Sequence, residues 1–220
     1  MYFGQPVRRR EDIRFLKGKG RYSDDFALPG MTYAAFVRSP HAHATIRSLS
    51  TEIAAAMPGV LKILTADDWE AAGNGELVCV HPMPFSDGRP MNEKLKPVLA
   101  RGKVCHVGDP VACVIAETRF AAMDGAEAVA VDYDPLPSVT KIGRALDDGA
   151  PILHEEIGSN MVFEIERGDS ASVDTVFEDA HHVTEMVLDS NRVAGNPLEP
   201  RVFLSQYEEA SGQYTLWCSS

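Results

Sequence analysis

The sequence predicts a layered α/β protein of 220 residues. Three observations predict it. Residues 111–116 form a short apolar run of the buried-strand kind, followed by a capped helical stretch and a second β-rich run at 129–133. Short β-rich segments recur through the first 65 residues, punctuated by Pro and Gly. Near the end, residues 201–207 and 213–218 flank a turn at 208–212, the pattern of a β-hairpin.

The elements follow in order. Residues 1–30 read as irregular, with Gly18, Gly20 and Pro29-Gly30 as breaks. Residues 31–37 read as a strand that Arg38-Ser39-Pro40 ends, because proline cannot donate to a ladder. Residues 43–49 alternate loosely and read as a second strand. Ser50 or Thr51 caps a short helix over 52–57, stopped by Pro58-Gly59. Residues 60–64 form a third strand, and Thr65 caps a turn with Asp67 and Asp68 near its N-terminus. Residues 73–103 read as a long excursion with one short strand at 77–80; excursions of that length usually carry function or a contact.

The clearest unit is strand 111–116, a helix over 119–128 capped by Thr118, and strand 129–133, a βαβ-type pattern. Phe120, Ala121, Met123 and Ala128 are expected to form the buried side of that helix. Ser170 or Ser172 caps a further helix through Ala180, with Val173, Val176 and Phe177 on one side. Residues 182–188 read as a strand. The hairpin strands are apolar on both faces (Val202, Phe203 and Leu204, then Tyr214, Leu216 and Trp217), so the hairpin calls for cover on two sides.

Composition narrows the class. Hydrophobic residues make up 45% and charged residues 24%, which excludes a disordered or fibrous chain. No apolar run approaches the ~18–20 residues of a membrane span. The N-terminus lacks an apolar signal stretch, so a cytoplasmic location is expected. Cys79, Cys105, Cys113 and Cys218 form no C-x-x-C pair. That argues against a zinc ribbon, an iron–sulfur ligand run or a disulfide scaffold, and for buried free thiols.

The net charge is −11, unevenly spread. The first 21 residues carry seven Lys and Arg against two acidic residues, a balance of +5. Residues 145–220 carry three Arg against fifteen Asp and Glu, a balance of −12. The basic arm is short, lacks a base-reading motif and belongs to an acidic chain, so nucleic acid is not the expected partner. The arm is expected to cross an acidic surface of its own protein or of a partner subunit.

No catalytic constellation stands out. His41-x-His43 has a spacing that metals use, but no Cys, Asp or Glu beside it completes a set. His181-His182 would point to opposite faces of a strand. The pairs Asp24-Asp25, Asp67-Asp68 and Asp147-Asp148 read as caps and turns. Gly18-x-Gly20 is not a dinucleotide fingerprint, and there is no P-loop or nucleophile elbow. No residue is therefore expected to be catalytic, cofactor-binding or metal-ligating.

A set of short stretches nevertheless resembles one family. They are Arg21-Tyr22-Ser23-Asp24-Asp25, residues 37–46 around Arg38-Ser39-Pro40-His41-Ala42-His43, Pro58-Gly59-Val60 and Val107-Gly108-Asp109-Pro110-Val111-Ala112. Asp132-Tyr133-Asp134-Pro135-Leu136-Pro137, Asn196-Pro197-Leu198-Glu199-Pro200-Arg201 and Leu216-Trp217-Cys218-Ser219-Ser220 continue the series. Together, in this order, they resemble the N-terminal part of the molybdenum-binding large subunit of the xanthine dehydrogenase, aldehyde oxidase and aerobic carbon monoxide dehydrogenase family.

The resemblance implies a basic N-terminal arm over 1–17, an α/β hammerhead domain over 18–145 and the truncated start of the first molybdopterin-binding domain over 146–220. It implies an oxidoreductase that oxidises an aldehyde, an N-heterocycle or carbon monoxide with oxygen taken from water. The complete subunit would hold a molybdenum–pterin cofactor, with [2Fe–2S] and FAD on partner subunits. The family's glutamine near the molybdenum, its glycine-rich segment and its active-site glutamate all lie beyond Ser220, so this chain alone is expected to be silent and free of the cofactor. Glu199 is expected to be architectural, a carboxylate beside an arginine. The rival expectation is a stand-alone hammerhead module that docks a separate catalytic subunit; a weaker one is a small-molecule site near 73–103. Without its covering layers, the hairpin is expected to drive self-association, or the tail after about residue 150 to be disordered.

Overall fold

The computed structural model describes residues 3–191, 193, 195–197, 199 and 201–219. Leu198, Pro200 and Ser220, which belong to the motifs above, lie outside them. The chain divides into two compact units, Thr32–His181, and Met1–Met31 together with His182–Ser220.

Two three-stranded sheets organise the Thr32–His181 unit. In the first, β5 (Pro110–Ala116) lies between β1 (Tyr33–Arg38) and β3 (Val60–Leu64), antiparallel to both. In the second, β2 (Ala44–Ser50) lies between β4 (Lys103–Val104) and β6 (Ala130–Pro135), again antiparallel. The βαβ expectation is corrected here. The strands before and after the helix belong to different sheets, and β5 has only antiparallel neighbours. A strand–helix–strand pattern carries no information on partners, and β5 finds Phe36 opposite Cys113 and Leu64 opposite Cys113 rather than β6.

Five of the seven residues of β5 are buried, as its unbroken apolar run requires. The core is built of small side chains. Val104, Val111 and Val114 are the largest that are fully buried. One cluster joins Ala44, Ala100, Val104 and Val111, with Val37, Ile46, Leu49, Val131 and Tyr133 packed on it. A second joins Ala54, Val114 and Val129.

The helix α4 (Arg119–Ala128) packs on β1 and β5. Thr118 caps it as expected, its hydroxyl accepting the Ala121 N–H at 3.1 Å. Its buried side differs from the expected one. Ala122 and Gly125 face the sheet, while Phe120 is 78% and Met123 51% exposed. Close approach explains the choice: a Cβ on Gly125 would lie 2.9 Å from both Val114 Cγ1 and Val60 Cγ2.

The shorter elements behave similarly. The helix α2 (Glu52–Ala55) starts at Thr51, but that side chain makes no capping bond. Gly59 ends the segment at φ +80°, a conformation that favours glycine. The helix α3 (Ala66–Ala71) has a full capping box: Thr65 accepts from Asp68 N, and Asp68 Oδ2 accepts from Thr65 N at 2.8 Å. The strand expected at 77–80 is a single antiparallel bridge between Leu77 and Lys96. The helix α5 (Ser170–Glu178) is capped by Asp169, not by a serine, and buries no residue.

The unit of Met1–Met31 with His182–Ser220 holds α1 (Asp12–Leu16), a helical turn in a region expected to be irregular, and the hairpin of β7 (Phe203–Glu208) and β8 (Gln213–Cys218). The expected hairpin forms, its register running from Phe203 opposite Cys218 to Glu208 opposite Gln213. The strand expected at 182–188 is absent: those described residues are irregular, with Val187 90% and Leu188 80% exposed. A β-rich run without a neighbouring edge has no ladder to satisfy its backbone.

Candidate functional site

Each candidate histidine is placed by local structure. β1 ends at Arg38, and Ser39 turns the chain: its N–H donates to the Asp109 carbonyl at 2.9 Å, and its carbonyl accepts from Gly108 N at 2.8 Å. Ser39 Oγ accepts from His41 N at 3.0 Å. The His41 ring then stands edge-on to Tyr133, 5.1 Å between centroids. His43 is buried, and its Nδ1 lies 2.7 Å from the Pro137 carbonyl, so Nδ1 carries the proton. The two imidazoles are therefore committed to different neighbours. Among the described residues no three His, Cys, Asp or Glu side chains converge to hold a metal ion.

Among the described residues, two buried polar atoms lack a hydrogen-bond partner, His43 Nε2 and Tyr133 Oη, both near this corner. Burial also pushes the Tyr133 hydroxyl above its ordinary range. Asp109, in the Gly108-Asp109-Pro110 turn, is buried and accepts the Cys105 N–H at 3.0 Å, with Lys96 Nζ 3.9 Å away. Burial pushes the Cys105 and Cys113 thiols above their ordinary range, which disfavours the reactive thiolate. Cys79 and Cys218 are exposed, against the expectation of burial.

The 73–103 excursion borders a cavity of about 590 Å³. Its walls include Leu77, Met91, Leu153, Met161 and His154. Asn160 braces the floor, accepting from Leu153 N and donating to the carbonyls of Ala145 and Pro151. Burial lowers the pKa of His154, whose ring lines this space, and so favours its neutral form. Lys94 meets Glu156 at 2.8 Å and, by donating to it, draws that carboxyl down to about 2. The arrangement is an open, largely apolar hollow whose Lys94 and Lys96 are held by Glu156 and Asp109.

Glu199 acts within its own unit. Its Oε1 accepts from Ser23 N at 3.1 Å and from Ser23 Oγ at 3.3 Å. Phe26, ahead of β1, faces Trp217 on the hairpin at 6.4 Å. The Glu199 carboxylate thus meets a serine 176 residues earlier in the chain, a pairing invisible to local sequence. Trp217 shares its hairpin face with Leu204, its cross-strand partner. The other face leaves Phe203 68%, Tyr207 53%, Tyr214 78% and Leu216 58% exposed.

The fold, then, is a hammerhead-type α/β scaffold that runs on into the opening of a cofactor-binding domain. Residues 17–137 match the family profile described as "Aldehyde oxidase and xanthine dehydrogenase, a/b hammerhead domain", and residues 153–220 match "Molybdopterin cofactor-binding domain". The chain belongs to the aldehyde oxidase and xanthine dehydrogenase family. It is 38% identical over 222 residues to the carbon monoxide dehydrogenase large chain of Afipia carboxidovorans, covering 96% of this chain and 26% of that one. It is 34% identical to the nicotine 6-hydroxylase large subunit of Paenarthrobacter nicotinovorans, covering 99% and 26%. Among solved structures, quinoline 2-oxidoreductase from Pseudomonas putida 86 matches with a TM-score of 0.82 at 33% identity, covering 98% of this chain and 26% of that one. The chain thus spans about a quarter of the length of the relatives it matches. No helix among the described residues is long and apolar enough to cross a membrane.

The segment that matches the molybdopterin cofactor-binding domain spans residues 153–220. Within the segment matching that domain, α5 is exposed along its whole length and the hairpin turns apolar side chains outward. The two orphaned buried polar atoms belong to the hammerhead.

Proposed function

We propose that this chain is the N-terminal portion of a molybdenum hydroxylase large subunit, and that its work is scaffolding and subunit contact. Residues 1–17 form a basic arm, 18–145 the hammerhead domain and 146–220 the start of the first molybdopterin-binding domain. The parent reaction oxidises an aldehyde, an N-heterocycle or carbon monoxide with oxygen from water in the cytoplasm. Molybdopterin belongs to the complete subunit, and [2Fe–2S] and FAD belong to partner subunits.

The observation that carries this reading is the ordered match of both domains along nearly the whole chain, against relatives four times as long. The uncovered hairpin face supports it: Phe203, Tyr207, Tyr214 and Leu216 form a surface that a continuing domain would cover. Metal and pterin analysis of the purified chain, with a dye-linked oxidation assay, tests it. Neither stoichiometric molybdenum nor turnover is expected; both together in this chain alone would overturn the scaffold reading.

A further inference from the structure

Two uncovered strips of opposite charge lie in this chain. The first is the arm. Phe3 is 90%, Val7 65%, Ile13 65% and Leu16 87% exposed, interleaved with exposed Arg8, Arg9, Arg10, Arg14, Lys17 and Lys19. The ion pair of Arg9 with Glu11 is long at 3.8 Å and largely solvated, so it neutralises little of the arm's charge. On α1, Ile13 and Leu16 share one side at i, i+3, with Arg14 and Lys17 on the adjoining side.

The second strip is α5. Val173 is 51%, Val176 70% and Phe177 58% exposed. Asp174 and Glu178 flank that ridge at i, i+4 on one side and Asp179 on the other. No Lys or Arg occurs between Arg167 and Arg192. Each strip is an apolar ridge with charged flanks, and the signs are opposite. Neither is covered within the chain, since both ridges remain exposed.

We propose that the arm of one copy docks on α5 of a second copy, its Ile13–Leu16 ridge against Val173–Phe177 and its Arg and Lys side chains against Asp174, Glu178 and Asp179. Apolar burial supplies the attraction, and charge complementarity chooses the partner and the orientation. Each copy carries both strips, so one arm–helix contact joins two copies. The contact is distinct from any association through the hairpin, whose exposed face is aromatic and nearly uncharged.

Sedimentation of the full chain across concentration, at low salt and at ~0.5 M salt, tests this. Self-association is expected at low salt and should weaken as salt rises. Arg8→Glu/Arg9→Glu/Arg10→Glu should weaken it about tenfold or more, and so should Asp174→Lys/Glu178→Lys. Mixing the two variants should restore association, because each then offers the other a strip of matching charge. Circular dichroism checks that these surface changes leave the fold intact. A chain monomeric at every concentration in low salt overturns the proposal. So does association that ignores both salt and the arm variant, which assigns it to the hairpin. Loss in both variants without restoration in the mixture removes α5 as the docking site.

Discussion

Gly125 shows how one residue sets a distance in this fold. Replacing it with alanine brings two opposing effects. Helix propensity favours the alanine by about 1 kcal/mol. Against that, the new methyl meets Val114 and Val60 at 2.9 Å, and both are β-branched and stiff. Overpacking of this kind costs about 1–3 kcal/mol, so the clash wins. Gly125→Ala should lower stability by about 1 kcal/mol in chemical denaturation. Adding Val60→Ala should recover part of the loss. Glu156 offers a second test at this scale. Lys94 holds its carboxyl near 2, below the ordinary value of 4.5. A depressed carboxylate contributes stability above the unfolded value and loses it as pH falls toward the folded one. Carboxyl NMR titration should show the low midpoint, and Lys94→Met should move it up toward 4.5. An unshifted midpoint in the unmodified chain would show that solvent screens the pair.

Caps decide the short helices. α3 has only six residues, too few to persist on propensity alone, and its Thr65–Asp68 box satisfies two orphan N–H groups. Thr65→Ala should cost about 0.5–2 kcal/mol and fray α3 first, read as faster amide exchange at residues 66–69. The Thr65 and Thr118 caps were legible in the sequence because capping is local chemistry. The buried side of α4 was not. Large apolar residues look like core, but this helix lies so close to its sheet that only Ala122 and Gly125 fit. The expected strand at 182–188 failed for a related reason: propensity names a candidate strand, while a neighbouring edge makes one.

Across the whole molecule, order is graded. β5 is buried between two neighbours, whereas α5 and the hairpin expose most of their residues. Hydrogen exchange should find the β5 amides the most protected and those of α5 the least, with the hairpin between. Uniform protection through residue 219 would contradict this gradient. The candidate site was legible only in outline. The ordered motifs pointed to the family, but Glu199 meeting Ser23 across 176 residues, and the hollow beside 73–103, arise from chain reversal that no local pattern records.

By itself the sequence determined the strands around 33–64 and 110–135, the Thr65 and Thr118 caps, the C-terminal hairpin and the family, since each rests on local periodicity or on ordered short motifs. Tertiary structure alone decided which strands share a sheet, which side of α4 is buried, what holds Glu199 and which apolar faces stay uncovered. The physical reason is that pairing and burial depend on how closely distant segments approach. Here that approach is set by methyl-sized contacts around Val60, Val114 and Gly125.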